Sequence, residues 1–271
     1  MRITIDGSEL EVTAGTTIRA AAATAGIDIP TLCWAATLTP VNVCRLCVVE
    51  VEGSRPLVPA CSREVEDAMV ITTDSERVRH SRRMVLELLA STVDLAWSDD
   101  DLRGRLEQYG VAHTPSGRGA DEPTAAKRHD DLFVRDYQRC VLCYKCVEAC
   151  GDDAQHTFAI AVAGRGMAAA ISTEYDTPLP QSACVYCGNC IAVCPTGALT
   201  PVTEFERRRA GTWDPVAHTV TRTVCAFCGV GCNLDLHVHD GEVVKVTSPA
   251  DHDITLGNLC IKGRFGWQHL T

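Results

Sequence analysis

Sixteen cysteines stand in this chain of 271 residues, and they fall into four groups of four with none left over. The groups are Cys33, Cys44, Cys47 and Cys61; Cys140, Cys143, Cys146 and Cys150; Cys184, Cys187, Cys190 and Cys194; and Cys225, Cys228, Cys232 and Cys260. Thiolates are soft ligands, and quartets at these spacings are those of iron–sulfur clusters. The chemistry they offer is one-electron transfer along a row of centres.

The two central runs carry the most specific signal. Cys140-x2-Cys143-x2-Cys146-x3-Cys150 and Cys184-x2-Cys187-x2-Cys190-x3-Cys194-Pro195 each put four thiolates within eleven residues. Three close cysteines wrap three corners of a 4Fe–4S cubane, and the backbone then carries the fourth away from that cube. In two-cluster ferredoxins this fourth cysteine ligates the other cluster. The expected ligand sets are therefore Cys140, Cys143, Cys146 and Cys194 for one cubane, and Cys184, Cys187, Cys190 and Cys150 for the other. Zinc instead favours C-x2-C pairs across a longer gap, since one tetrahedral ion cannot easily use four thiolates so close in sequence. The first run has Gly151 where the simplest ferredoxins have proline.

The outer sets are more open in spacing. Cys33-x10-Cys44-x2-Cys47-x13-Cys61 has a longer first gap than the plant-type 2Fe–2S pattern; zinc or a 4Fe–4S centre stands as the alternative there. Cys225-x2-Cys228-x3-Cys232-x27-Cys260 has Gly229, Gly231, Gly257 and Gly263 beside its ligands, where they let backbone amides approach cluster sulfur.

Small elements must position these sets. Ile3 and Ile5, then Leu10 and Val12, alternate around Asp6-Gly7 and predict a hairpin. Thr16 or Thr17 caps an alanine-rich helix that stops near Gly26. Val48–Val51 and Met69–Thr72 read as strands. Over 76–93 the apolar residues fall near a 3.6 period and predict a helix, with Arg77, Arg79, Arg82 and Arg83 on a solvated basic face or one that docks an acidic partner. A second short helix and a Pro/Ser/Gly linker at 115–119 follow. The second cysteine run begins 44 residues after the first, an internal repeat. Residues 203–222 read as a connection, and Leu234–Val238 and Val243–Val246 as strands joined at Asp240-Gly241.

Hydrophobic residues make up 46% but aromatics only 5%, which predicts small cores whose folding energy comes partly from bound metal. The start alternates like a strand and has no apolar signal region, and no run of about 18 apolar residues occurs. A cysteine-rich chain of this kind reads as reduced, metal-binding and cytoplasmic rather than disulfide-bonded. The net charge of −10 falls to about −18 with four oxidised clusters, which repels nucleic acid. Phosphate loops and dinucleotide fingerprints are missing, and Gly164-Arg165-Gly166 reads as a turn. The nine histidines, His156, His237, His239 and His252 among them, have no catalytic or zinc spacing.

The last set sits in Cys225-Ala226-Phe227-Cys228-Gly229-Val230-Gly231-Cys232 and Gly257-Asn258-Leu259-Cys260-Ile261-Lys262-Gly263-Arg264. It resembles the amino-terminal 4Fe–4S domain of molybdopterin oxidoreductases, bacterial formate dehydrogenases in particular. The first set resembles the 2Fe–2S domain of the large iron–sulfur subunits of complex I, NAD-linked formate dehydrogenases and hydrogenases. In their order the sets resemble the amino-terminal part of the alpha subunit of NAD-dependent formate dehydrogenase. This implies an α+β, multi-domain chain: a β-grasp 2Fe–2S domain (1–77), a helical linker (78–129), a two-cluster 4Fe–4S ferredoxin-like domain (130–205), a connection (206–222) and a small molybdopterin-type 4Fe–4S domain (223–271). It also implies that Lys262, two residues after the last cysteine, lies between cubane and pterin and assists electron passage; the alternative is a lysine that only neutralises an anionic cluster. Two departures stand out. Residues 76–125 hold His80 and His113 but no cysteine, so the family's frequent extra cluster with one histidine and three cysteines is missing. The family's catalytic domain lies beyond Thr271, so no substrate-oxidising site is expected within this stretch.

The implied cofactors are one 2Fe–2S and three 4Fe–4S clusters. The implied partners are a Mo- or W-bis-pterin catalytic subunit or domain and a flavin- and NAD-binding diaphorase subunit. Two other functions stay open: the equivalent wiring of a complex I or hydrogenase assembly, and a free-standing multi-cluster carrier.

Overall fold

The computed structural model describes residues 1–112 and 125–270, without the side chains of Met167, His269 and Leu270. His113 and the 115–119 linker lie outside the described residues. The chain divides into two compact units, Met1–Trp34 with Pro40–Glu122, and Ala35–Thr39 with Pro123–Thr271.

In the first unit β1 (Arg2–Ile5) and β2 (Ser8–Glu11) form the expected hairpin, turned by positive φ at Asp6 and Gly7. Helix α1 (Ile18–Thr24) starts at Thr17, whose hydroxyl accepts from the Ala20 amide at 3.2 Å. Strands β3 (Val48–Val51), β4 (Val58–Pro59) and β5 (Val70–Thr72) complete a mixed sheet of order β2-β1-β5-β3-β4, in which β1 and β5 run parallel. Period-two alternation puts Ile3 and Ile5 on one face, where Ile18, Ala21, Ala22, Val49 and Ile71 cover them. Cys47 and Cys61 belong to this same core, so the sheet and the ligands are one packing unit. One sheet with a covering helix is the β-grasp arrangement expected.

Two helices follow, α2 (Glu76–Thr92) and α3 (Asp100–Gln108), capped by Ser75 and Asp99, whose oxygens accept from Val78 and Leu102 amides at 3.2 and 2.9 Å. Arg77, Arg79 and Arg83 are exposed and meet Glu50, Asp74 and Glu87. Arg82 departs from the expected solvated face. It is 3% exposed and donates to the Val48 carbonyl at 2.9 Å and the Tyr109 hydroxyl at 3.1 Å. The reason is helical: Val78, Arg82, Leu86 and Ala90 recur every four residues and form the buried stripe.

The second unit is built from short pieces. Strands β6 (Phe133–Arg135) and β9 (Leu199–Pro201) pair antiparallel, as do β7 (Ala161–Ala163) and β8 (Ala170–Ser172) around the turn at Gly164. Helices α4 (Lys145–Cys150) and α5 (Asn189–Ala192) carry cysteines. Their core holds Phe133, Ile160, Ile171, Leu179, Ile191 and Leu199, and Phe265 from the far end of the chain, stacked 6.3 Å from Phe133. Residues 203–222 were expected to be a connection. They instead include most of helix α6 (Val202–Arg209) and the larger part of strand β10 (Thr219–Val224). Buried Glu204 explains the helix, since Arg208 on the same helix and Lys245 both donate to it at 2.8 Å. Strands β11 (Asn233–His239) and β12 (Glu242–Thr247) join at Asp240-Gly241 and complete an antiparallel sheet of order β10-β11-β12. Helix α7 (Ile261–Phe265) follows the last cysteine. No helix among the described residues is long and apolar enough to cross a membrane.

Arg82→Ala orphans the buried Val48 carbonyl and is expected to lower stability by about 1–3 kcal/mol. Arg83→Ala removes only an exposed i,i+4 pair and is expected to stay within about 0.5 kcal/mol. Anaerobic urea unfolding followed by circular dichroism compares the two.

Candidate metal centres

Cys33, Cys47 and Cys61 are each 1% exposed and Cys44 is half-buried. Positive φ at Arg45 turns the backbone between Cys44 and Cys47, and the Leu46 amide lies 3.5 Å from the Cys44 sulfur. The four thiols contact one another. Cys33 takes hydrogen bonds from Cys44 and Cys61, which pull it down, and Cys47 is lowered by its bond with Cys61. The donors Cys44 and Cys61 are pushed up in turn. Such a set loses all four protons only if positive charge enters with the deprotonation, which is what iron brings. The guanidinium of Arg19, 3.4 Å over the Trp34 ring, is lowered by burial and held up by Asp28, Cys47 and Cys61. Residues 35–39, within the long gap before Cys44, belong to the second unit, where Asp153 accepts from the Thr39 amide at 2.6 Å and its hydroxyl at 2.9 Å.

The internal repeat is a repeat of backbone conformation. Leu142 and Tyr186, each just before the second cysteine of its run, have φ of 52° and 58°. Tyr144 and Gly188, each just after it, have φ of 63° and 70°. These left-handed residues wind both runs into tight loops whose amides face sulfur; the Tyr186 amide lies 3.4 Å from the Cys184 sulfur. Two cavities result. One is lined by Cys150, Cys184, Cys187 and Cys190, with Phe133, Arg135, Ile160 and Leu179. The other is lined by Cys140, Cys143, Cys146 and Cys194, with Tyr137, Ile171 and Pro195. Leu199 is a wall of both. Each cavity thus gathers three cysteines of one run and the last of the other. Thr157 lies 3.4 Å from the Cys150 sulfur, and Thr196 lies 3.9 Å from that of Cys194.

Burial and neighbouring thiols push Cys146 and Cys190 well up, and burial takes Cys140 up to about 12. An apolar cavity by itself favours a quartet that keeps its protons. A cationic iron core in the same place makes thiolates the favoured form. Four thiols around an apolar cavity of this kind fit a cubane.

The last quartet is the most open. Cys225 is buried, Cys232 half-buried, and Cys228 and Cys260 exposed. The Cys225 amide donates to the Cys232 carbonyl at 2.8 Å, and Gly231, at φ 71°, makes that close return without strain. Burial first, and then Cys225, Cys260 and Cys228, raise the Cys232 thiol, so all four act at one place. Val224, Phe227, Val230 and Ile261 are exposed in this segment. Lys262 is exposed on the first turn of α7.

Several residues packed around these quartets and on the last sheet gave little sign in sequence. Arg264 is 3% exposed and reaches the second cysteine run: its Nε donates to the Cys187 carbonyl at 2.9 Å and its Nη2 to Asn189 Oδ1 at 3.2 Å. Gly188 is the glycine counterpart of Tyr144 because a Cβ there would collide with Arg264 Cδ. The glycine-for-tyrosine change inside the repeat was the available signal. His218, His237 and His239 gather on the β10–β11 side with ring centroids 5.5–6.0 Å from His218, beside Trp213 at 4.7 Å. Burial lowers His218 and His237 from the ordinary imidazole range.

Three family models match the chain in order. They are the 2Fe–2S iron–sulfur cluster binding domain over residues 1–76, the ferredoxin-like domain of NADH-quinone oxidoreductase subunit 3 over 131–200, and the molybdopterin oxidoreductase Fe4S4 domain over 218–271. The NADPH-Fe(3+) oxidoreductase subunit alpha of Geobacter sulfurreducens is 38% identical over 99% of this chain and 31% of its own length. An NADH-quinone oxidoreductase subunit of Rhizobium meliloti is 34% identical over 98% of this chain and 31% of its own. A putative formate dehydrogenase of Staphylococcus haemolyticus is 26% identical over 99% and 31%. The crystal structure of an NAD+-reducing [NiFe]-hydrogenase in the H2-reduced state matches with a TM-score of 0.62 and 25% identity, covering 74% of this chain and 86% of that one. The chain spans about a third of the length of the curated relatives it matches.

Proposed function

We propose a relay role for this chain, which belongs with the iron–sulfur electron-transfer subunits homologous to NAD(P)H-linked hydrogenases, formate dehydrogenases and complex I. Single electrons pass between a molybdenum- or tungsten-pterin site and an NAD-linked flavin partner in the cytoplasm, with formate the substrate oxidised at the pterin. The clusters supply reversible one-electron storage. The chain's own residues fix their order, exclude water and point amides at sulfur.

The ligands are Cys33, Cys44, Cys47 and Cys61 for a 2Fe–2S cluster; Cys140, Cys143, Cys146 and Cys194 for one cubane; Cys150, Cys184, Cys187 and Cys190 for a second; and Cys225, Cys228, Cys232 and Cys260 for a third. The observation that supports this best is the pair of cavities, each lined by three cysteines of one run and the last of the other. The third cubane faces the pterin partner. Its exposed Cys228 and Cys260, set among exposed apolar side chains, support that orientation. Lys262, exposed two residues after Cys260, lies on the electron's way to the pterin. Formate is supported by the molybdopterin-type domain and by the putative formate dehydrogenase among the relatives.

The crossed ligands give a stoichiometric prediction. Cys140→Ser and Cys194→Ser each cost about 4 iron per chain, and their combination costs no more, whereas Cys140→Ser with Cys150→Ser costs about 8. Iron and labile sulfide counts on anaerobic protein decide it. The formate reading predicts that formate bleaches the visible absorbance of protein purified with its partners, and that molybdenum or tungsten is present. Bleaching by NAD(P)H alone, with neither metal, would remove formate and leave the relay.

A further inference from the structure

Arg264 is buried in the second unit among hydrogen-bond acceptors that carry no charge. Its Nε meets the Cys187 carbonyl, its Nη2 meets Asn189 Oδ1, and its own carbonyl accepts from Trp267 Nε1 at 3.0 Å. Its amide donates to the Cys260 carbonyl at 3.0 Å. Asn189 is itself buried and also accepts from the Leu259 amide at 3.0 Å. One arginine therefore ties a cysteine of the ferredoxin pair to a cysteine of the last quartet through two hydrogen bonds and its own side chain. Next to it, Phe265 packs into the ferredoxin core.

Among the described residues no carboxylate pairs with this guanidinium, and a buried guanidinium is costly unless an anion neutralises it. The hydrogen bonds set it beside two ligand sets at once: its side chain meets Cys187 of one, and its backbone amide meets Cys260 of the other. With four thiolates each, the two clusters supply the missing anions.

We propose that Arg264 is a positioning residue that seats the C-terminal Fe4S4 domain on the ferredoxin-like domain and fixes a positive charge between two cubanes, raising the reduction potentials of both. The cubanes are those of Cys150, Cys184, Cys187 and Cys190 and of Cys225, Cys228, Cys232 and Cys260, and the inference rests on that ligand assignment. Reduction adds one electron to an already anionic cluster and forms no bond. A fixed cation in a low-dielectric site stabilises the reduced form more than the oxidised one. Gly188 is part of the device, since any side chain there would displace the arginine.

The test is a redox titration followed by electron paramagnetic resonance on the full chain with its clusters, comparing wild type, Arg264→Gln, Arg264→Lys and Asn189→Asp. Arg264→Gln is expected to shift two of the three 4Fe–4S midpoint potentials downward and leave the 2Fe–2S potential in place. Arg264→Lys keeps the charge and is expected to recover most of the shift. If Arg264→Gln does not retain its clusters, Asn189→Asp sets a carboxylate against the guanidinium and lowers the same two potentials. Unchanged potentials in a variant that holds its clusters, or an equal shift at every centre, would overturn the proposal and leave Arg264 a structural clamp. Wild-type protein without three 4Fe–4S signals would overturn the ligand assignment instead.

Discussion

Everything in this fold answers to one constraint: sixteen thiols are gathered in fours, and a quartet of thiolates tolerates burial only with a compensating cation. Burial and the mutual repulsion of neighbouring thiolates both oppose that negative charge. Cys146 and Cys190 are driven well above an ordinary thiol by burial and by their neighbours, and within the first quartet the hydrogen bonds that lower Cys33 and Cys47 push Cys44 and Cys61 up. Iron removes the conflict, because it replaces several protons with one compact positive core. Cluster binding in such domains adds to folding free energy. The apolar clusters fit this reading, since Cys47 and Cys61 count among the core of the β-grasp sheet, and Cys146 among that of the ferredoxin pair.

The same constraint explains the local backbone. Tight thiolate loops need amides turned inward, and they reach that state through left-handed residues at matching places in both runs. Where a second domain arrives, the repeat is broken by the smallest change that admits it. Tyr144 becomes Gly188, and Arg264 occupies the space. Charge and sterics meet at one residue there, which is why a buried arginine is tolerated between two cysteine sets.

Much of this was readable in the sequence, for a physical reason. Cysteine spacing encodes how the chain wraps a cube, and the two cavities bring together the cysteines that the two-cluster ferredoxin pattern pairs. The Asp6-Gly7 and Asp240-Gly241 turns and the helix at 76–92 follow from local rules. What escaped depended on distant partners. The burial of Arg82 sat in plain periodicity with Val78 and Leu86, yet a charge on a helix reads as solvated until Val48 and Tyr109 are placed beside it. Helix α6 and strand β10 replaced an expected connection because Glu204 finds Lys245 some forty residues away. Strand β4 is two residues long and contains Pro59, too short for any alternation to register.

The central claim is that this chain holds one 2Fe–2S and three 4Fe–4S clusters, and Mössbauer spectroscopy of the iron-57-enriched protein, isolated without oxygen, tests it most directly. The account predicts about 2 iron atoms in a 2Fe–2S spectrum and about 12 in 4Fe–4S spectra, with no mononuclear component. A mononuclear iron component, or a spectrum without both the 2Fe–2S and the 4Fe–4S contributions, would contradict it.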